Sequence, residues 1–123
     1  MAKVIIISQA RIGSKRFPGK ILKEINGESL LAVHIKRLKK SKAASLIIVA
    51  TTFEKGVEEI ISIANKQGVK YFQGSTENVL DRFYQAGKNY NPDYIVRVTS
   101  DCPLIDGELI DSVVKLTIER KLD

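Results

Sequence analysis

The chain has 123 residues, 44% hydrophobic and 28% charged, with 20 Lys and Arg against 14 Asp and Glu, which gives a net charge of +6. This composition is that of one globular domain and excludes a disordered tail, because apolar residues are abundant and recur in regular bursts. One Cys and one His exclude a disulfide scaffold and a Cys/His zinc site.

An apolar run at the start of the chain, residues 4–7, resembles the core of a signal peptide. It is shorter than the roughly 7–15 apolar residues of such a core and far shorter than the roughly 20 of a membrane helix. We therefore interpret it as a buried strand. Since a lone thiol also suits a reducing compartment, we expect a cytoplasmic protein that does not bind membranes.

Short β-branched runs alternate along the chain with longer segments of helical period. The predicted strands cover residues 4–8, 46–50, 69–72 and 94–99. The first, second and fourth are nearly all apolar, as in strands buried on both faces of a parallel sheet. The predicted helices run from a cap at Ser29 to about residue 40, over 54–67, over 78–89, and onward from a cap at Asp106. This order predicts one α/β domain over residues 1–123, an open parallel sheet with helices on both faces.

Ligands of such sheets bind beyond the carboxyl ends of the strands, and a loop rich in glycines and cations follows the first strand. It reads QARIGSKRFPGK over residues 9–20. Glycines let the backbone approach a ligand closely, and cations neutralise phosphate. The loop is not a Walker A motif, because five residues separate Gly13 from Gly19 and Ile21 replaces the Mg²⁺-binding Ser or Thr, and it is not GxGxxG. An ordinary basic surface loop is the alternative interpretation.

Polar residues also follow the second and third strands. Thr51 and Thr52 are interpreted as caps of the next helix, with hydrogen bonding to a ligand as the alternative. The turn at residues 73–75 has a backbone suited to reading the edge of a base. Glu77 and Asp81 are equally well explained as acidic residues that favour the start of a helix.

After the fourth strand comes Asp101, followed by Pro103, which fixes the turn. A carboxylate in that place is costly unless it has a partner, and opposite a phosphate-binding loop it suits Mg²⁺. A turn-forming Asp is the alternative. No catalytic base stands near Cys102 in the sequence, so we interpret Cys102 as a small buried thiol. We interpret His34 as a packing or surface residue.

The positive charge is concentrated in residues 1–42, which carry 11 Lys and Arg against two Glu, a net +9. Part of it is a run of cations over residues 36–42, at the end of the first predicted helix. Cations there complement the helix dipole, so we interpret the run as a solvated face. Nucleic-acid binding is the alternative, but no interleaved aromatics support it and we expect no nucleic-acid partner.

Three stretches together resemble the sugar cytidylyltransferases, which include the synthetases of CMP-activated acidic sugars such as CMP-KDO and CMP-sialic acid. They are IISQARIGSKRFPGK at 6–20, GSTENVLDRF at 74–83 and RVTSDCPLID at 97–106. The last two are similar to the SpsF-like branch, named for spore coat polysaccharide biosynthesis. The motifs stand in the expected order and cover nearly the whole chain.

The resemblance implies a Rossmann-like fold of the nucleotide-diphospho-sugar transferase type. It also implies transfer of CMP from CTP to a sugar with release of pyrophosphate, in surface polysaccharide biosynthesis. Arg11 and Lys20 would hold the triphosphate as catalytic residues, and Asp101 would bind a Mg²⁺ cofactor. The remaining nucleotide-binding residues that it implies are Ala10, Gly13, Ser14, Lys15, Arg16, Gln73, Gly74, Ser75, Thr99 and Ser100.

Members of this family are longer than 123 residues, so we expect the chain to be the N-terminal, nucleotide-binding part of such an enzyme. The second metal carboxylate, most of the sugar pocket and the usual dimer contact would then lie outside it, which leaves a homodimer open. The alternatives are a nucleotidyltransferase of the same fold that uses another NTP, a chain that only binds nucleotide, and a basic nucleic-acid-binding domain. Gln9-Ala10, in place of the paired glycines of other nucleotidyltransferases, favours cytidine.

Overall fold

The computed structural model describes residues 3–11, 22–25, 27–75, 77–99 and 107–120. In chain order, the strands are β1 (Val4–Gln9), β2 (Glu24–Ile25), β3 (Glu28–Ser29), β4 (Leu46–Thr51), β5 (Lys70–Gln73) and β6 (Tyr94–Thr99). The helices are α1 (Leu30–Leu38), α2 (Glu58–Lys66), α3 (Val79–Gly87) and α4 (Gly107–Arg120), with a short 3₁₀ helix at Lys88–Tyr90.

Four of these strands form a parallel sheet in the order β5-β4-β1-β6. At its centre, Ile6 of β1 lies opposite Ile47 of β4 and Val96 of β6. Alternate residues of β1 face opposite sides: Ile6 packs in a cluster with α1 and α4, and Ile7 packs against α3. The near-continuous apolar run of β1 is thus explained, because helices cover both faces of the sheet.

β6 differs from the prediction that the first, second and fourth strands are buried on both faces. Along this strand Val98 is buried, whereas Ile95 is 43% exposed and Arg97 and Thr99 are exposed. Within the described residues, β6 pairs with β1 alone and forms an edge of the sheet. The prediction was wrong here because an apolar run does not distinguish a central strand from an edge strand.

The structure confirms the predicted cap at Ser29 and shows a further cap at Asn78, where the sequence predicted only the start of a helix. The Ser29 hydroxyl accepts a hydrogen bond from the Ala32 N–H at 3.1 Å, and the Asn78 side chain accepts one from the Asp81 N–H at 2.9 Å. Each satisfies an N–H that lacks a partner within its helix. The predicted cap of α4, Asp106, lies outside the described residues.

α2 begins four residues later than predicted, at Glu58, and its N-cap Val57 makes no side-chain cap. Thr52 instead organises the preceding turn: its hydroxyl accepts from the Glu54 N–H at 3.2 Å and donates to the Glu54 carboxylate at 2.8 Å. Thr51 belongs to β4. The interpretation of both threonines as helix caps is therefore wrong.

The β2–β3 hairpin was not predicted. Each strand has only two residues, too few to show the alternation by which a strand is recognised in a sequence. Gly27 stands between them at a φ of +84°, a conformation that glycine adopts without steric strain. No helix among the described residues is long and apolar enough to cross a membrane.

The start of α4 is held against the loop between α1 and β4. Asp111 accepts hydrogen bonds from the Ser41 hydroxyl and from the N–H groups of Lys42 at 2.7 Å and Ala43 at 3.1 Å. A Cβ at Gly107 would lie 2.0 Å from the backbone nitrogen of Ser41, so only glycine permits this approach. These contacts set the position of the helix that follows β6.

Burial tends to raise the pKa of Asp111, but the hydrogen bonds from Ser41, Lys42 and Ala43 outweigh it and hold the pKa below its ordinary value. The ionised carboxylate therefore stabilises the folded chain.

We expect Asp111→Asn to lower the free energy of unfolding by about 1 kcal/mol at pH 7, because it removes charge-assisted hydrogen bonds at a solvent-screened site. The folded pKa is depressed, so this stabilisation is present above the unfolded pKa and is lost as the pH falls through the folded one. Denaturant unfolding from pH 7 downwards should show the two proteins converging in acid. Glu108→Gln, on the exposed face of the same helix, is the control, and a gap that is constant with pH would contradict the prediction.

Candidate functional site

The parallel strands bring their carboxyl ends to one edge of the sheet. Gln9 at the end of β1 lies opposite Ala50 of β4 and Thr99 of β6, and Thr51 lies opposite Gln73 of β5. The term carboxyl edge is used below for these strand ends and the residues that follow them. The predicted site residues that the structure describes lie at this edge: Ala10, Arg11, Gln73, Gly74, Ser75 and Thr99.

Arg11 follows β1 and forms an ion pair with Glu54, which follows β4. The Arg11 Nε donates to the Glu54 Oε1 at 2.9 Å, and the Thr52 hydroxyl donates to the same oxygen at 2.8 Å. The side chain of Arg11 is 41% exposed and that of Glu54 is 22% exposed. Glu54 thus orients the guanidinium through Nε, and within the described part of the chain the two terminal nitrogens stay available to a ligand.

The turn after β5 is tied to the end of β4. The Gly74 N–H donates to the Thr51 carbonyl at 2.9 Å, and the Gln73 Nε2 donates to the Thr52 carbonyl at 3.1 Å. The Ser75 hydroxyl accepts from the Asn78 N–H at 3.0 Å. That this turn faces a base stays a prediction, and the Gly74 N–H is already used inside the sheet.

Arg82 of α3 is a residue of this edge to which sequence reasoning assigned no role. Its side chain is fully buried, and its stem lies so close to Gly74 that a Cβ there would be 3.2 Å from the Arg82 Cγ. Burial lowers the pKa of the guanidinium, the charge of Arg11 lowers it further, and the charge of Glu54 opposes both. The three side chains therefore interact electrostatically.

A signal for Arg82 was present in the sequence. It stands three residues after Val79 and four before Ala86, two positions that the helical period places on the apolar face of the third helix. A cation on that face either extends its charged group into solvent or is buried in a functional role. Only the tertiary structure shows that Arg82 is buried.

Of the other predicted site residues, some lie within the described part of the chain and some lie outside it. Ala10 is buried and its N–H donates to the Ala50 carbonyl at 2.9 Å, so this N–H is not available to a ligand. Thr99 is exposed at the end of β6. Outside the described residues lie Gly13, Ser14, Lys15, Arg16, Lys20, Ser100, Asp101 and Cys102.

One buried histidine and two lysines of α1 and its C-cap have partners within the fold. His34 is buried, and its Nε2 lies 2.8 Å from the hydroxyl of Ser8 in β1, which confirms packing as its interpretation. At the end of α1, the Lys39 ammonium donates to the Gln67 carbonyl at 2.7 Å. Lys36 pairs with Glu28. Both lysines thus have partners within the chain, which favours a structural role over nucleic-acid binding for this run of cations.

A parallel α/β sheet with cations at its carboxyl edge is an arrangement common among nucleotide-binding domains, which hold their ligands beyond the carboxyl ends of the strands. Comparison with known families narrows the class, because the sequence profile described as cytidylyltransferase matches residues 4–122. The chain belongs to the cytidylyltransferase family.

Individual relatives agree with this assignment. The chain is 34% identical to the spore coat polysaccharide biosynthesis protein SpsF of Bacillus subtilis, over 100% of this chain and 53% of that protein. It is 35% identical to the 3-deoxy-manno-octulosonate cytidylyltransferase of Bdellovibrio bacteriovorus, over 95% of this chain and 47% of that protein. The structure of a cytidylyltransferase from Leptospira borgpetersenii superposes with a TM-score of 0.91 at 42% identity, over 97% of this chain and 50% of that one.

The chain spans about half the length of the curated relatives that it matches. The expectation that it corresponds to one part of a longer enzyme agrees with this coverage. The Rossmann-like nucleotidyltransferase fold is confirmed by the superposition with the Leptospira structure.

We expect Gly74→Ala to lower the free energy of unfolding by about 1–3 kcal/mol, the usual effect of overpacking. The added Cβ would lie 2.9 Å from the Phe72 ring and 3.2 Å from the Arg82 stem, and both are held by α3 and the sheet. Gly87→Ala is the matched control, since its Cβ meets only two isoleucine methyl groups at 3.2 and 3.3 Å. Thermal unfolding of both variants measures the effect, and equal losses would contradict it.

Proposed function

We propose that this chain supplies the CTP-binding part of a Mg²⁺-dependent cytidylyltransferase that transfers CMP to a sugar. The observation that carries the proposal is the Arg11–Glu54 pair, which holds a guanidinium at the carboxyl edge. Arg11 is also the arginine of the motif that the chain shares with sugar cytidylyltransferases. A fixed cation in that place is suited to a triphosphate.

In the proposed reaction, a hydroxyl oxygen of the sugar attacks the α-phosphorus of CTP. The bond from that phosphorus to the bridging oxygen breaks, pyrophosphate leaves, and the hydroxyl proton is lost to solvent or a base. Little covalent chemistry is required of the protein, so positioning and charge neutralisation supply the catalysis. Arg11 and Lys20 would neutralise the phosphates, and Glu54 would act as a positioning residue for Arg11.

The nucleotide would be held by the remaining predicted residues. The loop residues Gly13, Ser14, Lys15 and Arg16 would supply backbone and side-chain donors to the phosphates. The Ala10 carbonyl and the turn at residues 73–75 would face the cytosine, and residues 99–100 would lie beside the nucleotide. Since the Gly74 N–H is already bonded to Thr51, the turn would contact the base through its other groups.

For Mg²⁺ the proposed ligand is Asp101, two residues after the last residue of β6. Among the described residues no group of three or more His, Cys, Asp or Glu can hold a metal, and the Glu54 carboxylate is already engaged by Arg11 and Thr52. When bound, the ion would neutralise phosphate charge.

An acidic sugar is the proposed acceptor, as the name of the Bdellovibrio relative suggests, and surface polysaccharide synthesis is the proposed pathway, as the name SpsF suggests. A chain that binds nucleotide without completing the reaction is the second candidate. It is favoured by the coverage of only about half of each relative. The cytoplasmic location stays a prediction.

We expect Arg11→Ala to weaken CTP binding about tenfold or more, because it removes charge-assisted hydrogen bonds to phosphate. Isothermal titration with CTP, UTP and ATP, with and without Mg²⁺, measures the effect and the preference for cytidine. Arg37→Ala, which removes the same charge at the end of α1, should leave CTP binding unchanged. Equal affinity of the wild type and the Arg11 variant would contradict the assignment, as would salt-dependent RNA binding in a chain that does not bind CTP.

We expect Asp101→Asn to abolish the Mg²⁺ dependence of CTP binding while leaving metal-free binding nearly unchanged. The reason is that an amide lacks the charge that holds the ion. Isothermal titration with CTP, repeated across Mg²⁺ concentrations, measures this dependence, and Asp93→Asn is the control. Pyrophosphate release from CTP with a panel of sugar acids then separates the two candidates: release by this chain supports the transferase, and none supports the binding-only candidate.

A further inference from the structure

We infer that Arg82 binds an oxyanion at the carboxyl edge, namely a phosphate of the nucleotide or the carboxylate of the acceptor sugar. The inference extends the proposed function, since it adds a binding residue to the same edge. It stands on the burial of the guanidinium, on its lack of a partner and on its place beside Arg11 and Glu54.

All three guanidinium nitrogens of Arg82 are buried and have no hydrogen-bond partner among the described residues. A guanidinium remains protonated at any pH a protein meets, so burial leaves a full charge without a hydrogen-bond partner among the described residues. Such a group is strongly unfavourable unless something pairs with it.

The charges around Arg82 do not satisfy it. Glu54 is the nearby carboxylate, but its Oε1 already accepts from both Arg11 and Thr52. The other charged neighbour is Arg11, which repels it. Within the part of the chain that the structure describes, two guanidinium groups thus share the carboxylate of Glu54. The buried hydroxyl of Thr51, at the end of β4, also has no hydrogen-bond partner among the described residues.

Packing alone does not explain an arginine at this position. Phe83 and Ala86 of α3 lie in the apolar cluster that packs on the sheet, and the stem of Arg82 lies against Gly74, where a Cβ would be 3.2 Å from the Arg82 Cγ. An unbranched apolar residue would fill the same space without a buried charge. The guanidinium is therefore unfavourable for stability and is explained by a ligand.

A planar guanidinium donates two parallel hydrogen bonds to a carboxylate or a phosphate. Arg82 has no exposed surface, so an oxyanion reaches it through a local opening of the carboxyl edge. Arg11, whose side chain is 41% exposed, is the accessible cation of the pair. The two arginines would together bind one anionic group.

The experiment compares the wild-type chain with Arg82→Met, Arg82→Lys and the control Arg97→Met. Arg97 is an exposed arginine of β6 whose guanidinium lies over the Phe83 ring. Thermal unfolding and titration are measured with three probes: inorganic pyrophosphate, CTP with Mg²⁺, and 3-deoxy-manno-octulosonate. The first two probes present phosphate, and the third presents a carboxylate without phosphate.

Without a probe, Arg82→Met should unfold about 3 °C or more above the wild type, because it removes an unpaired buried charge. It should bind at least one class of probe about 10- to 100-fold more weakly. Arg82→Lys should show an intermediate loss, since it keeps the charge but not the fork. Loss confined to pyrophosphate and CTP assigns a phosphate, and loss confined to the sugar acid assigns its carboxylate.

Several results would overturn the inference. The first is that Arg82→Lys and Arg82→Met bind every probe as tightly as the wild type does. The second is that the wild type binds no probe. If Arg82→Met does not fold, unchanged affinity in Arg82→Lys alone is sufficient. A wild type that binds pyrophosphate through Arg82 but shows no preference for CTP would instead contradict the proposed function and leave the inference standing.

Discussion

Parallel pairing of β1 with both β4 and β6 is the constraint on which the rest of the structure depends. β1 lies in the middle of the sheet, and its partners run in its own direction. Each connection must therefore cross over a face of the sheet, and the step back from β5 to β6 places α3 on the face opposite α1. The same direction sets Gln9 opposite Thr99, so residues far apart in the chain share one edge.

The carboxyl edge combines groups that stabilise the fold with groups that do not. Thr52 and Glu54 fix a turn, the Gly74 N–H extends the sheet bonding at Thr51, and the Glu54 carboxylate orients Arg11. Arg82 is different, since its buried guanidinium contributes repulsion from Arg11 and a desolvation penalty. Binding sites commonly hold such unfavourable groups ready for a ligand that compensates them.

Prediction from the sequence succeeded where a local pattern of residues determines the structure. The cap at Ser29 follows from a side chain that satisfies a free N–H group, and the apolar run of β1 follows from burial on two faces. It failed where the outcome depends on distant residues. The burial of β6 and the ion pair of Glu54 with Arg11 each involve partners at other places in the chain.

The sequence by itself determined the α/β class, the order of the main helices and strands, and the cytidylyltransferase motifs, because periodicity and motif spacing are local properties. The tertiary structure decided which of the cations are paired. Lys36, Lys39 and Arg11 find oxygen partners within the fold, whereas Arg82 is buried with none among the described residues. Charge can be counted in a sequence, but whether a charge is solvated, paired or buried depends on which distant elements pack around it.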